Sequence, residues 1–295
     1  MVAAAMEIAI HIGIPEYISE RSNRIFSDTW KFALLVLKEW MRFTYEKLSA
    51  QLSSFPEILR LGGTDRIPHR DTFRKFAKRI PEGMVDEAIG EAARQLCGPA
   101  VISAVDATGF SESNASRHYV KRLRQSGTED RVVRDYTKAT FVGDVESKAI
   151  IACDVSPSNV HDSKRFEPAL RLAKETGINI VKILADKGYD SERSHEIAKE
   201  IFGPDIDTQI PLRECEKTPR QKTVYNKGKN RRDMKRRFDK PTFRMRAIIE
   251  TINSMIKRKM GDTVRGKNMK SVELEIKFKC LAHNVRLLIE RGLVC

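Results

Sequence analysis

The spacing of apolar residues changes character near residue 98. Residues 28–53, 69–80 and 82–97 carry apolar side chains at three- and four-residue steps, which is the spacing of amphipathic helices. The Gly-Pro pair at 98–99 interrupts this pattern, and Gly and Pro commonly mark the end of an element. We therefore predict a small all-α domain over residues 1–98.

The predicted helix 69–80 has Phe and Ile on one side and Arg and Lys on the other. Together with a preceding short helix and a glycine-containing loop, it is typical of a helix-turn-helix unit, whose second helix contacts DNA. The alternative is an ordinary surface helix with a basic outer face. The interpretation from these residues is that the domain contacts DNA.

Beyond residue 98 the pattern becomes that of strands and helices in alternation. A continuous apolar run, such as residues 178–186, is typical of a central strand that is buried on both faces. The predicted strands are AVISAVDA, RVVRDYTKATFVGD, SKAIIACDVS, INIVKILAD and DTQIPL, and the predicted helices follow residue 162 and cover 190–202, 243–260 and 269–291. The order β-β-β-α-β-α-β-α-α predicts an α/β domain over residues 99–295, with a mixed sheet flanked by helices.

Three acidic residues stand out in this second part. Asp106 and Asp186 follow apolar, β-branched runs, and Glu250 lies in the predicted helix 243–260. Each has an ordinary alternative, since an Asp at a strand end is often a turn residue and a helical Glu is usually solvated. If they converge, their oxygens suit two Mg²⁺ ions, with Mn²⁺ as a substitute, and such a pair assists displacement at a phosphodiester.

The net charge of +14 is unevenly distributed. Residues 1–100 contribute +1, whereas residues 213–246 alone contribute +10, from 14 basic and 4 acidic side chains. Such a run is either a solvated basic loop or a surface for a polyanion. Its position between two proposed metal ligands favours the phosphate backbone of DNA as its partner. The candidate contacts in its centre are Arg231, Arg232, Arg236 and Arg237.

Cysteine usage and hydropathy indicate the compartment. The five cysteines are widely spaced without a CxxC pair, which argues against a zinc cluster or a disulfide framework and favours a reducing environment. The apolar start lacks a basic leader, and the run at 32–37 is far too short to span a bilayer. We expect a soluble cytoplasmic protein that uses neither a membrane nor a nucleotide cofactor.

The predicted element order and the three acids resemble the ribonuclease-H-like fold of DDE transposases and retroviral integrases. That fold has its first acid on the first strand, its second just after the fourth strand and its Glu on a later helix, the places held here by Asp106, Asp186 and Glu250. The long interval before Glu250 implies an insertion at about residues 203–242. The resemblance covers roughly residues 100–290, including the segments DATGF, NVHDS and ADKGYDS.

The resemblance is closest around Glu250. One branch of insertion-sequence transposases has the signature Tyr-x2-Arg-x3-Glu-x6-Lys, and here those places hold Phe243, Arg246, Glu250 and Lys257. The resemblance implies that Arg246 and Lys257 hold DNA phosphates and that Phe243, lacking the hydroxyl, keeps a surface for stacking on a base. An intrahelical Arg246–Glu250 ion pair is the structural alternative, because residues four apart are neighbours on a helix.

The ADKGYDS and NVHDS segments carry further candidates. Lys187 is either a phosphate contact or a solvated side chain, and Asp190 is expected to cap the next helix. His161 and Asp162 are expected to start a helix rather than to bind metal.

The resemblance implies a transposase of a prokaryotic insertion sequence, associated with the nucleoid. Such an enzyme binds the terminal inverted repeats of its element, cleaves double-stranded DNA by two-metal hydrolysis and joins the 3′ ends to target DNA. The resemblance also implies that the amino-terminal domain, residues 1–98, binds DNA ends or mediates dimerisation. Pairing two ends requires a homodimer or a larger assembly. The alternatives are a non-transposing nuclease on the same fold and an inactive DNA-binding regulator derived from a transposase.

Overall fold

The computed structural model describes residues 1–20, 23–112, 136–213 and 228–294. These residues form two compact units. One contains 1–96, 110–112 and 255–294, and the other contains 97–109, 136–213 and 228–254. The last part of the chain is thus grouped with the amino-terminal helices.

The first unit is helical. Its helices are α1 (Val2–His11), α2 (Asp28–Trp40), α3 (Tyr45–Gln51), α4 (Pro56–Leu61), α5 (Arg70–Arg79), α6 (Met84–Leu96) and the carboxy-terminal helix α12 (Met269–Glu290). Its core forms where α1 packs on α2 and where α12 packs on α2 and α6. The helices predicted around 69–80 and 82–97 are present as α5 and α6. Within the described ranges, no helix combines the length and apolar character needed to cross a bilayer.

The prediction of one continuous helix over 28–53 is wrong, because the chain turns between α2 and α3. Arg42 adopts a positive φ of 54°, which ends the helical path. Thr44 then begins α3 by accepting a hydrogen bond from the Lys47 amide at 3.1 Å. The Arg42 guanidinium donates to the carbonyls of Arg258 and Lys259, which holds the turn in place.

The second unit is built on a mixed sheet. Its strands are β1 (Val101–Glu112), β2 (Tyr136–Asp144), β3 (Ile150–Pro157), β4 (Ile180–Ala185) and β5 (Asp207–Gln209). They lie in the order β3-β2-β1-β4-β5, with β1, β4 and β5 mutually parallel and β2 antiparallel to β3. The far end of β1 belongs to the first unit, where it pairs with the short strand β6 (Thr263–Val264).

Helices flank this sheet. They are α7 (Phe166–Glu175), α8 (Glu192–Phe202), α9 (Lys229–Arg237), α10 (Lys240–Arg244) and α11 (Ala247–Met260), of which the last runs on into the first unit. Helix α7 packs on β2 and β3, and α8 packs on α7 and α9. The mixed sheet with helices confirms the predicted α/β fold and has the character of the ribonuclease-H-like fold.

Several predicted elements differ in extent. The first part of the predicted second strand, residues 131–135, lies outside the described residues, as do residues 214–227 of the basic run. The strand predicted at 207–212 is only three residues long, and the helix predicted over 243–260 is divided into α10 and α11. The centre of the basic run, predicted as loop, is the helix α9. Met234 explains this helix, because its side chain is buried while its basic neighbours are not.

Gly143 allows α11 to lie directly on β2. A Cβ atom at this position would stand 2.8 Å from Ile249 Cδ1 and 3.0 Å from Ile252 Cδ1. We predict that Gly143→Val destabilises the protein by about 1–3 kcal/mol, as overpacked cores do, and that Gly143→Ala costs less. Thermal unfolding of the two variants checks this order. Equal melting temperatures for wild type and Gly143→Val would contradict the close packing of α11.

Candidate active site

Two of the predicted acids lie side by side on adjacent strands. Val105 of β1 is paired with Ala185 of the parallel strand β4, so Asp106 and Asp186 occupy the next position on each chain. Asp186 follows the carboxyl end of β4, the kind of position where ligands bind in open α/β sheets, and the register places Asp106, which lies within β1, beside that end. Asp186 also caps a short 3₁₀ turn, because its Oδ1 accepts a hydrogen bond from the Lys187 amide at 2.7 Å.

The electrostatics join Glu250 to this pair. Burial is the main reason why the pKa of Asp106 is raised to about 6; the carboxylates of Glu250 and Asp186 also raise it, whereas the Ala107 amide and Arg246 lower it. Like charges that interact in this way disfavour simultaneous ionisation. The contributions of Glu250 and Asp186 indicate that both carboxylates lie near enough to act on the charge of Asp106.

Glu250 is held by an intrahelical ion pair. Arg246 Nη2 donates to Glu250 Oε1 at 2.7 Å, with the Glu250 side chain 57% exposed and that of Arg246 19% exposed. The intrahelical ion pair, which was the alternative to a phosphate contact by Arg246, is therefore present in the molecule. Glu250 must exchange the guanidinium for another partner before its carboxylate can bind a cation through that oxygen.

Sequence reasoning missed Asn253. This residue is buried on α11, and its Nδ2 donates to Asp106 Oδ2 at 3.3 Å. Its Oδ1 is buried without a hydrogen-bond partner among the described residues. Helical spacing was the available signal, because Asn253 lies three residues after Glu250 and therefore on the same side of the helix.

The donor chemistry suits a divalent cation, although the ligands are not yet gathered around one point. Carboxylate oxygens are hard donors that Mg²⁺ and Mn²⁺ prefer, and a cation between Asp106 and Asp186 would relieve their repulsion. Within the described part of the chain, no three Asp, Glu, His or Cys side chains already form a group able to hold a metal ion. Glu250, the third predicted ligand, is engaged by Arg246.

The family comparison covers the part of the chain that contains these residues. The family described as transposase DDE domain matches residues 98–285, which is well over half of the chain and includes all three acids. The chain belongs to the transposase DDE domain family. No curated protein matches its sequence. Membership supports a transposase-type function and implies DNA as the partner, in a family that generally uses divalent metals. It confirms the resemblance identified in the sequence.

The other signature residues of this transposase lie against aromatic rings. Arg246 is 5.9 Å from the ring centroid of Phe243, and Phe243 itself packs on Phe238 with centroids 5.3 Å apart. Lys257 lies over the ring of Phe110 at 5.4 Å. These contacts fix the aromatic and cationic side chains around α11. Their roles in holding DNA remain predictions.

The predicted DNA contacts of the transposase fall into two groups. Lys187, Arg232, Arg236 and Arg237 are exposed, as a phosphate contact requires. Arg231 is different, because its guanidinium forms a bidentate ion pair with Asp190 at 2.8 and 2.6 Å. The structure thus gives Arg231 an internal partner, and a phosphate contact would have to compete with it.

The remaining predictions concern the loops near the acids. Asp190 does not cap the next helix, since Ser191 does so by accepting from the Ser194 amide at 3.0 Å. His161 does begin a helical turn, by accepting from the Ser163 amide at 3.2 Å, and Asp162 pairs with Lys138 at 2.8 Å. The expectation that this segment starts a helix is confirmed.

Tyr189 completes the surroundings of Asp186. Its ring packs on Phe166 with centroids 5.3 Å apart, and its buried hydroxyl has no hydrogen-bond partner among the described residues. Burial raises the pKa of Tyr189, and the carboxylates of Asp106, Asp162 and Asp186 add to that effect. The phenol is therefore held neutral beside the acids.

Proposed function

We propose that this protein is an active insertion-sequence transposase that cleaves double-stranded DNA at the terminal inverted repeats of its element and joins the new 3′ ends to target DNA. The observation that carries the proposal is the placement of Asp106 and Asp186 at equivalent positions of two adjacent parallel strands, in electrostatic contact with Glu250. Family membership supplies the reaction class.

The three acids have distinct roles in this proposal. Asp106 and Asp186 would hold divalent ions, two Mg²⁺ with Mn²⁺ as a substitute, and Glu250 would complete the site after releasing Arg246. When bound, such ions activate the attacking oxygen and stabilise the leaving one at a phosphodiester. The half-buried position of Asp106 and its hydrogen bond from Asn253 fix the direction of one carboxylate before DNA arrives.

The cations around the acids would bind the DNA backbone. Once Glu250 is released, Arg246 is available to a phosphate, and the aromatic ring of Phe243 keeps its guanidinium near the site. Lys257 and Lys187 would contribute further phosphate contacts. Because each phosphate contact releases counterions, we expect affinity for DNA to fall steeply as salt is raised.

The experiment uses the purified full-length protein and DNA from the flanks of its reading frame. Oligonucleotides that carry an inverted-repeat end are incubated with Mg²⁺, and precut ends are supplied together with a supercoiled plasmid. A transposase cuts the first substrate and joins the second to the plasmid, and two ends in one complex would indicate the expected dimer. Cutting without joining would identify a nuclease, and binding without cutting would identify a regulator.

A further inference from the structure

The basic helix α9 is fastened to the loop that presents Asp186. Glu192, six residues after Asp186, accepts hydrogen bonds from the Asn230 amide at 2.9 Å, from Asn230 Nδ2 at 3.0 Å and from the Arg231 amide at 3.1 Å. Its carboxylate therefore occupies the amino-terminal end of α9, where the helix dipole favours a negative charge. Gly228 allows this approach, because a Cβ there would stand 2.0 Å from Glu192 Oε2.

A buried ion pair adds a second attachment. Arg231 binds both oxygens of Asp190, whose side chain is only 1% exposed. The Arg213 amide donates to the same carboxylate at 2.8 Å, and the Arg213 guanidinium donates to the carbonyls of Lys187 and Gly188, both at 2.9 Å. Arg213 and Arg231 thus both hold the turn that follows Asp186, and Arg231 belongs to α9.

The other end of α9 is fastened to the sheet. Gln209 at the end of β5 donates to the Arg237 carbonyl at 3.3 Å and accepts from the Asp239 amide at 2.9 Å. At the amino-terminal end of α9, Lys199 of α8 donates to Asn230 Oδ1 at 2.5 Å. With Met234 buried beneath it, α9 is a rigid part of the second unit.

The opposite side of α9 presents cations to solvent. Lys229, Arg232 and Arg236 are exposed and recur at positions i, i+3 and i+7, which places them along one side of the helix. Lys235 and Arg237 are exposed beside them. A row of exposed cations on a fixed helix fits the regularly spaced phosphates of a DNA backbone.

We propose that Arg231 is a positioning residue, which transmits the contact between α9 and the DNA backbone to the loop that presents Asp186. This inference rests on the proposed function, since it assigns a role within DNA cleavage. The outer arginines of α9 bind phosphates. The ion pair of Arg231 with Asp190 then fixes the position of the turn after Asp186 relative to the DNA backbone that α9 binds. Arg231 itself contacts no DNA.

The deciding variant is Arg231→Lys in the full-length protein. Lysine keeps the positive charge but loses the two-pronged geometry that binds a carboxylate bidentately. At saturating DNA we expect the single-turnover cleavage rate to fall at least about tenfold, because a misplaced catalytic group is costly, while affinity for DNA changes less than about threefold. The single-turnover cleavage rate of Arg231→Ala should be lower than that of Arg231→Lys.

Two other variants serve as controls. One shows the effect of lost DNA contacts, and the other shows the effect of weakening an ion pair elsewhere. Arg232→Ala with Arg236→Ala should weaken DNA binding and lower the salt slope of log K by about two, because two phosphate contacts are lost. Arg171→Lys makes the same chemical change at the exposed pair with Glu167 on α7 and should leave the rate unchanged. A rate for Arg231→Lys equal to that of wild type would overturn the inference, as would a loss confined to affinity.

Amide hydrogen exchange measured without DNA tests the inference even if the protein does not cut DNA. The peptide covering residues 187–191 should exchange at least about tenfold faster in Arg231→Lys than in wild type or Arg171→Lys, because local opening is easier when its anchor is weakened. Equal exchange would overturn the inference. If wild type does not cut DNA, the proposed function fails, and the exchange result still decides whether Arg231 holds the turn.

Discussion

Replacing Asp106 or Asp186 by Asn is expected to abolish strand cleavage, with a loss of at least about a thousandfold. Each change removes a negative oxygen ligand from the edge of the sheet where β1 and β4 place both residues. Metal-assisted stabilisation of a transition state contributes several kcal/mol, and about 4 kcal/mol corresponds to a factor of a thousand. Gel analysis of end-labelled DNA measures the loss.

DNA binding should survive these two replacements, because the proposed phosphate contacts are basic residues elsewhere. Asp205→Asn is a suitable control, since Asp205 is an exposed carboxylate in the same unit, and it should cut at the wild-type rate. Wild-type cleavage by either Asp106→Asn or Asp186→Asn would remove that residue from the proposed centre.

The same Asp106→Asn change is expected to stabilise the metal-free protein at pH 8. Burial and the neighbouring acids raise the pKa of Asp106 from its ordinary value of 3.8 to about 6 in the folded protein. The folded state therefore binds this proton more tightly than the unfolded chain does, and the resulting stability is complete below pH 3.8 and is lost as pH rises through 6. Asn carries no charge at any pH and avoids this loss.

The expected gain at pH 8 is roughly 1–3 kcal/mol, because one pKa unit corresponds to 1.4 kcal/mol and solvent screening reduces the effect. Urea unfolding of wild type and Asp106→Asn at pH 8 and pH 5 measures it, in the presence of a chelator. The difference should shrink at pH 5. A variant less stable than wild type at pH 8 would show that Asp106 has favourable partners that outweigh its burial.

The sequence predicted the framework of the site well. Apolar runs before Asp106 and Asp186 are strong local signals, because a strand buried on both faces needs them. Helical spacing placed Glu250 and Arg246 correctly on neighbouring turns, and their ion pair was one of the alternatives. The family match over residues 98–285 confirms the transposase resemblance.

Other features depend on tertiary contacts that a local pattern cannot supply. Basic composition predicted a loop at 229–237, but burial of Met234 and the carboxylate of Glu192 stabilise a helix there. The same contacts turn Arg231 inward, although its sequence neighbours are exposed. Asn253 was missed because only the approach of α11 to β1 shows that its amide contacts Asp106.

The central claim is that Asp106, Asp186 and Glu250 form one metal centre, and calorimetric titration of the metal-free protein with Mn²⁺ tests it most directly. Wild type should bind Mn²⁺, and Asp106→Asn and Asp186→Asn should each weaken binding at least about tenfold. Glu250→Gln should have a smaller effect without DNA, since Arg246 occupies that carboxylate. Affinity for Mn²⁺ that is unchanged in both Asp→Asn variants would contradict the account.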